Sequence, residues 1–259
     1  ASGMMAAGTA AECGKNVMLV EQNKVLGKKL LITGKGRCNI TNACDEVEDL
    51  LNNVVTNKRF LYSAFYTFDN HSTIDFFENH GVKTKVERGA RVFPVSDKSS
   101  DVAAALRRYM TDNNVEIVTD RVDEICAEDG AITGVRCKKR GFVPCVAVIL
   151  ATGGISYPVT GSTGDGYTFA ENLGHTITPL RPSLVPVTVA QSVEELSGLS
   201  LKNIAIDVKN SKGKSIYRDF GEMMFAHFGL TGRYFKCVGA YERYGYRKVH
   251  TIPRPKTRA

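Results

Sequence analysis

The sequence predicts an α/β fold, with helices and strands alternating up to about residue 180 and β structure beyond it. Three observations carry this prediction. Short apolar runs of strand length, such as Asn16–Glu21 and Val143–Leu150, alternate with stretches of helical periodicity. Two of these runs are followed by glycine-punctuated polar turns. From Val185 onward the pattern becomes strict alternation, with Val187 and Val189, then Ile204, Ile206 and Val208.

Composition sets the outer bounds. The 259 residues are 43% hydrophobic and 24% charged, which suits one large domain or a domain with an insertion and excludes collagen-like, disordered and disulfide-scaffold classes. No apolar run approaches a membrane span, and the N-terminus lacks a basic-then-apolar leader pattern, so a cytoplasmic protein is expected. Seven cysteines, an odd number with no CxxC pair, argue for free thiols and against zinc. Eight Lys/Arg against one acid fall within Arg233–Ala259, so the +7 net charge belongs to the tail. Residues 1–232 hold 26 bases and 26 acids. A neutral body argues against nucleic acid as a partner.

Read in order, Ala1-Ser2-Gly3 leads into an apolar, small-residue helix with no strand before it. The strand Asn16–Glu21 then ends on an acid. Helix, strand and terminal acid match the back half of a dinucleotide-binding βαβ unit, with Gly3 as its last glycine and Glu21 eighteen positions on. The stretch Gly27–Asn42 reads as a ligand-facing loop. Gly34 and Gly36 permit close backbone approach, Arg37 offers a fork for phosphate or carboxylate, and Asn39, Thr41 and Asn42 add short polar groups. Cys38, beside Arg37 but without a CxxC partner, is assigned a packing or backbone role in preference to redox chemistry.

Arg59–His80 has helical periodicity, with a break and recap at Asn70–Thr73. His71 and His80 read as loop and helix-end residues. Arg88–Ser96 reads as a loop, and Asp97 or Ser99/Ser100 as the cap of a helix through Leu106 to Met110. Strands are expected at Val115–Val118, Val122–Ile125, Ile132–Lys138 and Val143–Leu150, the last buried on both faces. That run empties into Ala151-Thr152-Gly153-Gly154, where open α/β sheets bind ligands. Thr160–Gly166 follows, with Asp165 as a possible cap for a helix from Tyr167 to Leu173 that stops at Gly174. In the β-rich part, Lys212-Gly213 marks a hairpin turn.

Gly27–Asn42, Arg91-Val92-Phe93-Pro94 with Ser96, Ala151–Gly154 through Gly166, and Gly221–Gly232 together resemble the bacterial NAD(P)/FAD-dependent oxidoreductase family. This is also described as aminoacetone oxidase-like FAD-binding enzymes, and it includes bile-acid-processing flavin reductases. The resemblance implies a glutathione-reductase-type, Rossmann-like FAD-binding domain over residues 1–180 and the start of a β-rich inserted substrate domain over 181–232. It implies FAD as cofactor, NAD(P)H as electron donor and a small-molecule substrate, with no membrane partner and no oligomeric state indicated. An amine or aminoketone oxidase using oxygen is the alternative, and nucleic-acid binding through the tail a distant one. By position, Ser2 and Gly3 back the FAD pyrophosphate, Glu21 holds the adenosine ribose and Val122 offers its backbone to adenine. Lys29, Gly34, Gly36, Arg37, Cys38 and Asn39 approach flavin or diphosphate. Thr152, Gly153 and Gly154 close the site, with Gly164 and Asp165 on its flavin side. No side chain is named catalytic.

Two departures from the family pattern set further expectations. The first strand and two fingerprint glycines lie upstream of residue 1. After Gly232 the basic, tyrosine-rich residues 233–259 read as a frameshifted, unstructured tail. Such a chain is expected to be poorly stable and to bind FAD weakly or not at all.

Overall fold

A computed structural model describes residues 1–54, 57–180, 186–189, 191–209, 212–231 and 248–252. The chain divides into two units, one of Ala1–Asn53 with Arg59–Thr178, the other of Val54–Lys58 with Pro179–Ala259.

In the first unit the anticipated helix–strand pair of a βαβ unit is present. Helix α1 (Ser2–Glu12) leads to strand β1 (Met18–Glu21), which runs parallel to β5 (Glu116–Thr119), Glu21 lying opposite Thr119. The intervening chain forms α2 (Lys28–Ile32), β2 (Thr41–Asn42), α3 (Val47–Asn52), α4 (Tyr62–Thr67), α5 (Asn70–Asn79), β3 (Thr84–Glu87), β4 (Arg91–Pro94) and α6 (Ser99–Asp112). The core lies where α1 and α6 meet, built from Met4, Ala7, Leu30, Val102, Ala105, Leu106 and Met110. A side chain at Gly8 would strike the Tyr109 ring, so the glycine allows α6 to press onto the backbone of α1. The Tyr109 hydroxyl then donates to Glu12 at 2.7 Å and fixes the helix pair.

Several expectations change here. Arg88–Ser96 is not a loop, because its second half is β4 and pairs with β3 as a hairpin. Gly89 and Ala90, both with positive φ, form the turn. Strand β2 adds to the other edge of β4, giving the order β2-β4-β3. The break between α4 and α5 falls at Phe68–Asp69, where the Asp69 carboxylate caps α5 by accepting from Ser72 N–H. Neither Asp97, Ser99 nor Ser100 caps α6, since its N-cap is Lys98 with no side-chain bond. The Ser99 hydroxyl instead donates to Leu31 O at 2.8 Å, and Asp97 is taken by cations described below.

Strands β6 (Val122–Glu128), β7 (Ala131–Cys137) and β8 (Gly141–Pro144) form an antiparallel meander. The strand expected through Leu150 therefore stops at Pro144. Among the described residues, none pairs with 145–150 as a ladder, and Val146 and Ile149 are 94% and 65% exposed. An all-apolar strand needs a bonded neighbour and a cover on each face; here, among the described residues, only Cys145 N–H, which donates to Thr133 O, extends the ladder, and only Cys145 and Val148 pack against the Ile125–Val135 cluster. Helix α7 (Asp165–Asn172) follows, its N-cap being Gly164 and not Asp165; Gly174, with φ +87°, lies just beyond its end.

The second unit is an antiparallel sheet in the order β13-β10-β11-β12-β9. Its strands are β9 (Val187–Thr188), β10 (Ser200–Lys209), β11 (Ser215–Ala226), β12 (Gly229–Thr231) and β13 (Lys248–Ile252). Ile204, Ile206, Val208, Met223 and Leu230 form its core, as the alternation required. Val185 and most of 233–259 lie outside the described residues. Within the tail, however, Lys248–Ile252 is not unstructured, because it pairs with β10, Val249 opposite Val208.

Candidate functional site

The glycine turns singled out in the sequence converge on the C-terminal end of β1 and the N-terminal end of α1. An ideal Cβ at Gly3 would lie 3.1 Å from that of Ala151, so the start of α1 sits directly on the turn after residue 150. Ala1, just before α1, lies within electrostatic reach of both Glu21 and Cys38. One Cβ built at Gly153 would meet Ser162 Oγ at 2.7 Å, and one at Gly161 would meet Asn23 Nδ2 at 2.5 Å. A side chain at either position would have to displace Ser162 Oγ or Asn23 Nδ2, and Gly153 and Gly161 also hold φ of +78° and +97°, which favour glycine.

Glu21 ends β1 and is half-buried. Its Oε1 accepts from the N–H and side-chain amide of Asn23 at 2.9 and 2.7 Å. Among the described residues no hydrogen bond reaches Oε2, which leaves an acceptor for a ligand hydroxyl. At the end of the neighbouring β5, Asp120 N–H donates to Glu21 O, and the buried Asp120 carboxylate accepts from the N–H groups of Arg121, Lys139 and Arg140. These bonds hold its pKa below the usual range even against burial, the largest effect and an opposing one. Val122 follows, packed with Val20 and Phe169. Arg121 reaches Asp165 at 3.4 Å, and so ties the turn before Val122 to the start of α7.

A short turn over Thr33–Gly36 opens the Gly34–Asn39 stretch, with Gly34, Lys35, Gly36 and Cys38 all at positive φ. A Cβ at Gly34 would lie 2.9 Å from the backbone nitrogen of Asn39, so the turn closes on itself. The Asn39 amide, oriented to satisfy both contacts, donates to Val92 O and Thr41 O. Cys38 is 5% exposed, and burial raises its thiol pKa, which fits the packing role and not a thiolate.

Arg37 differs most from its expected part. Its Nε and Nη2 donate to Asp97 Oδ1 at 2.8 and 2.5 Å, Nη1 donates to Glu87 Oε2 at 3.2 Å, and Nη2 also pairs with Glu87 Oε1. Its guanidinium lies 4.2 Å over the Phe93 ring, and Lys85 holds the other Asp97 oxygen at 2.7 Å. The phosphate fork expected from the sequence is thus engaged by carboxylates and pins the turn to the β3–β4 hairpin. Hydrogen bonds from Arg37 to Glu87, and from Lys85 and Arg37 to Asp97, hold both carboxylates below their usual pKa. Groups depressed in the folded state add stability that is complete above the unfolded range near pH 4 and is lost as pH falls through the folded values. Thermal melting followed from about pH 7 to about pH 3 is therefore expected to show a steeper acid loss in the native chain than in Glu87→Gln/Asp97→Asn. Equal slopes would remove this linkage.

Lys29 Nζ donates to Ser156 O at 2.6 Å and Ser162 Oγ at 2.5 Å, so it faces the 151–162 turn. Beside that turn, a cavity of about 240 Å³ is lined by Leu150, Thr152, Gly153, Gly166, Tyr167 and Ala170. A Cβ at Gly166 would collide with Thr152 Oγ1, and one at Gly154 would meet the Tyr167 hydroxyl at 3.3 Å. Sequence reasoning missed Gln22, Asn23, Lys28 and Tyr167. The first two directly follow the strand-ending acid, which was the available signal.

The sequence profile described as HI0933-like protein Rossmann domain matches residues 1–237. The 3-dehydro-bile acid delta(4,6)-reductase of Clostridium scindens is 32% identical over 90% of this chain and 56% of its own length. The ribosomal RNA dihydrouridine synthase of Escherichia coli is 29% identical over 98% of this chain and 62% of its own. The chain thus spans a little over half the length of these curated relatives. Among solved structures, L-proline dehydrogenase from P. horikoshii is similar at 12% identity, covering 96% of this chain and 76% of its own, with a TM-score of 0.42. Among the described residues no helix is long and apolar enough to cross a membrane, and no group of three or more His, Cys, Asp and Glu is arranged to hold a metal ion.

Proposed function

The chain belongs to the HI0933-like Rossmann-domain family of FAD-binding oxidoreductases, and from that premise we propose that it binds FAD and takes part in passing hydride from NAD(P)H to a carbonyl-conjugated carbon–carbon double bond of a small organic substrate. The observation that carries this reading is the convergence of Gly3, Glu21, the 34–38 turn and the 151–154 turn at one strand end. That is where α/β sheets receive dinucleotides.

The residues present fit such a cofactor. Glu21 keeps one carboxylate oxygen for a ribose diol, and the start of α1 offers unsatisfied N–H groups to phosphate. Gly153 and Gly154 leave backbone bare for close approach. Bound flavin supplies the hydride chemistry, while the protein binds, orients and excludes water. Here Lys29 and Ser162 set the 151–162 turn, and Arg37 with Glu87 and Asp97 keeps the 34–38 turn rigid. The names of the relatives support the substrate class, since a bile acid delta(4,6)-reductase and a dihydrouridine synthase both saturate a double bond conjugated to a carbonyl. A second reading, with RNA uridine as the substrate, rests on the synthase relatives from Escherichia coli and Haemophilus influenzae.

Anaerobic mixing separates these readings. Against the weak or absent FAD binding expected from the sequence, the purified chain, given FAD and NAD(P)H, is expected on this reading to bleach the flavin and to be reoxidised by a steroid dienone. Reoxidation by uridine-containing RNA alone would favour the second reading, and bleaching by an amine without nicotinamide would favour an oxidase. Glu21→Ala is expected to weaken FAD binding about 10- to 100-fold, the loss of a charged hydrogen bond, as read by equilibrium dialysis. Unchanged binding would remove Glu21 from the site.

A further inference from the structure

The turn after β1 and the start of α2 grip a second loop through four carbonyl oxygens. Gln22 Nε2 donates to Gly161 O at 2.8 Å, Asn23 Nδ2 to Thr160 O at 3.2 Å, Lys28 Nζ to Val159 O at 2.6 Å and Lys29 Nζ to Ser156 O at 2.6 Å. Every one of these donors comes from residues 22–29, and every acceptor lies within 156–161. We propose that Gln22, Asn23, Lys28 and Lys29 are positioning residues that latch this loop across the ribose end of the cofactor groove and so gate the entry and exit of FAD. The inference rests on the FAD reading above and names the elements that would control exchange at that site.

Three features make the loop a movable piece. Its tip is held internally as a 3-10 turn, Thr160 N–H donating to Tyr157 O and Gly161 N–H to Pro158 O, so it can swing without unfolding. Gly153 precedes it and Gly161 and Gly164 follow, all at positive φ, where chain direction changes at little steric cost. Apolar packing does little to hold the tip: Ile155, Tyr157 and Val159 are 53%, 68% and 78% exposed, and its buried residue, Thr160, is polar. The side-chain donors are therefore its principal attachment. Asn23 Nδ2 is shared between Thr160 O and Glu21 Oε1. A ribose hydroxyl donating to the free Glu21 Oε2 would leave that amide in place, so the carboxylate that would hold the cofactor also orients the latch.

The test compares the native chain with Lys28→Met/Lys29→Met, using thermolysin cleavage at the apolar tip residues and stopped-flow FAD fluorescence. Cleavage within 155–160 is expected to rise about tenfold, and FAD association and dissociation to speed up together, with their ratio moving less than about threefold. Lys28→Arg/Lys29→Arg keeps the donors and restores native cleavage and rates. Unchanged cleavage in the methionine variant overturns the latch. Faster cleavage with altered dissociation alone overturns the gate and leaves a structural contact. A native chain that takes up no FAD overturns the cofactor reading, while the cleavage result still judges the latch. If the double variant fails to fold, Gln22→Ala is read by the same two measurements.

Discussion

Gly153→Val is expected to lower FAD affinity about 100-fold, close to 2.7 kcal/mol. Two effects add at this position. The backbone sits at φ +78°, which a β-branched residue avoids, at a cost of about 1–3 kcal/mol. The new Cβ also falls 2.7 Å from Ser162 Oγ, the oxygen that accepts from Lys29. Relief requires residues 151–154 to shift at the strand end where the start of α1 meets Ala151, which distorts the backbone proposed to face the cofactor. Fluorescence titration of FAD against the variant reads the effect. A melting curve like that of the native chain would show that the loss is local. Native affinity in the variant would mean that the turn does not border the cofactor.

Met110→Ala is expected to lower the unfolding free energy by about 2–5 kcal/mol, the range for truncating a fully buried long side chain. Met110 is 0% exposed at the centre of the cluster where α6 meets α1 and α2. The same cluster holds Ala105 and Phe77, and Phe76 packs against it, edge-on to the Tyr109 ring that is tied to Glu12, so the cavity has little chance to collapse. Urea unfolding followed by circular dichroism measures the loss, and a change below about 1 kcal/mol would show that the helix pair repacks freely.

Much of this architecture was legible because it rests on local pattern. The strand Met18–Glu21, the α4–α5 pair and the alternation around Ile204–Val208 follow from apolar period alone. The close turns of the candidate site were legible in outline for the same reason: glycines after strands mark close backbone approach, and Gly34 meets the Asn39 backbone, Gly153 the Ser162 hydroxyl and Gly161 the Asn23 amide. What was illegible depends on partners distant in sequence. Arg37 looked like a phosphate fork, but Glu87 and Asp97, fifty and sixty residues away, claim it through tertiary pairing. The β4 strand was hidden because Arg91 and Pro94 flank only two apolar residues, and it forms because β3 and β2 bond both its edges. The run through Leu150 had strand composition, yet composition cannot supply a ladder partner.

That unpaired run has a consequence for how the protein behaves at high concentration. Cys145–Leu150 is a six-residue ribbon of Cys, Val, Ala, Val, Ile and Leu, rich in β-branched residues, without charge, proline or glycine to interrupt it. Such a ribbon is a template for a like segment of another molecule, and backbone pairing along it would propagate from copy to copy. Colloidal instability should then begin at this one short segment, and a single lysine at Val146, whose side chain already faces water, should raise the solubility limit without touching the fold.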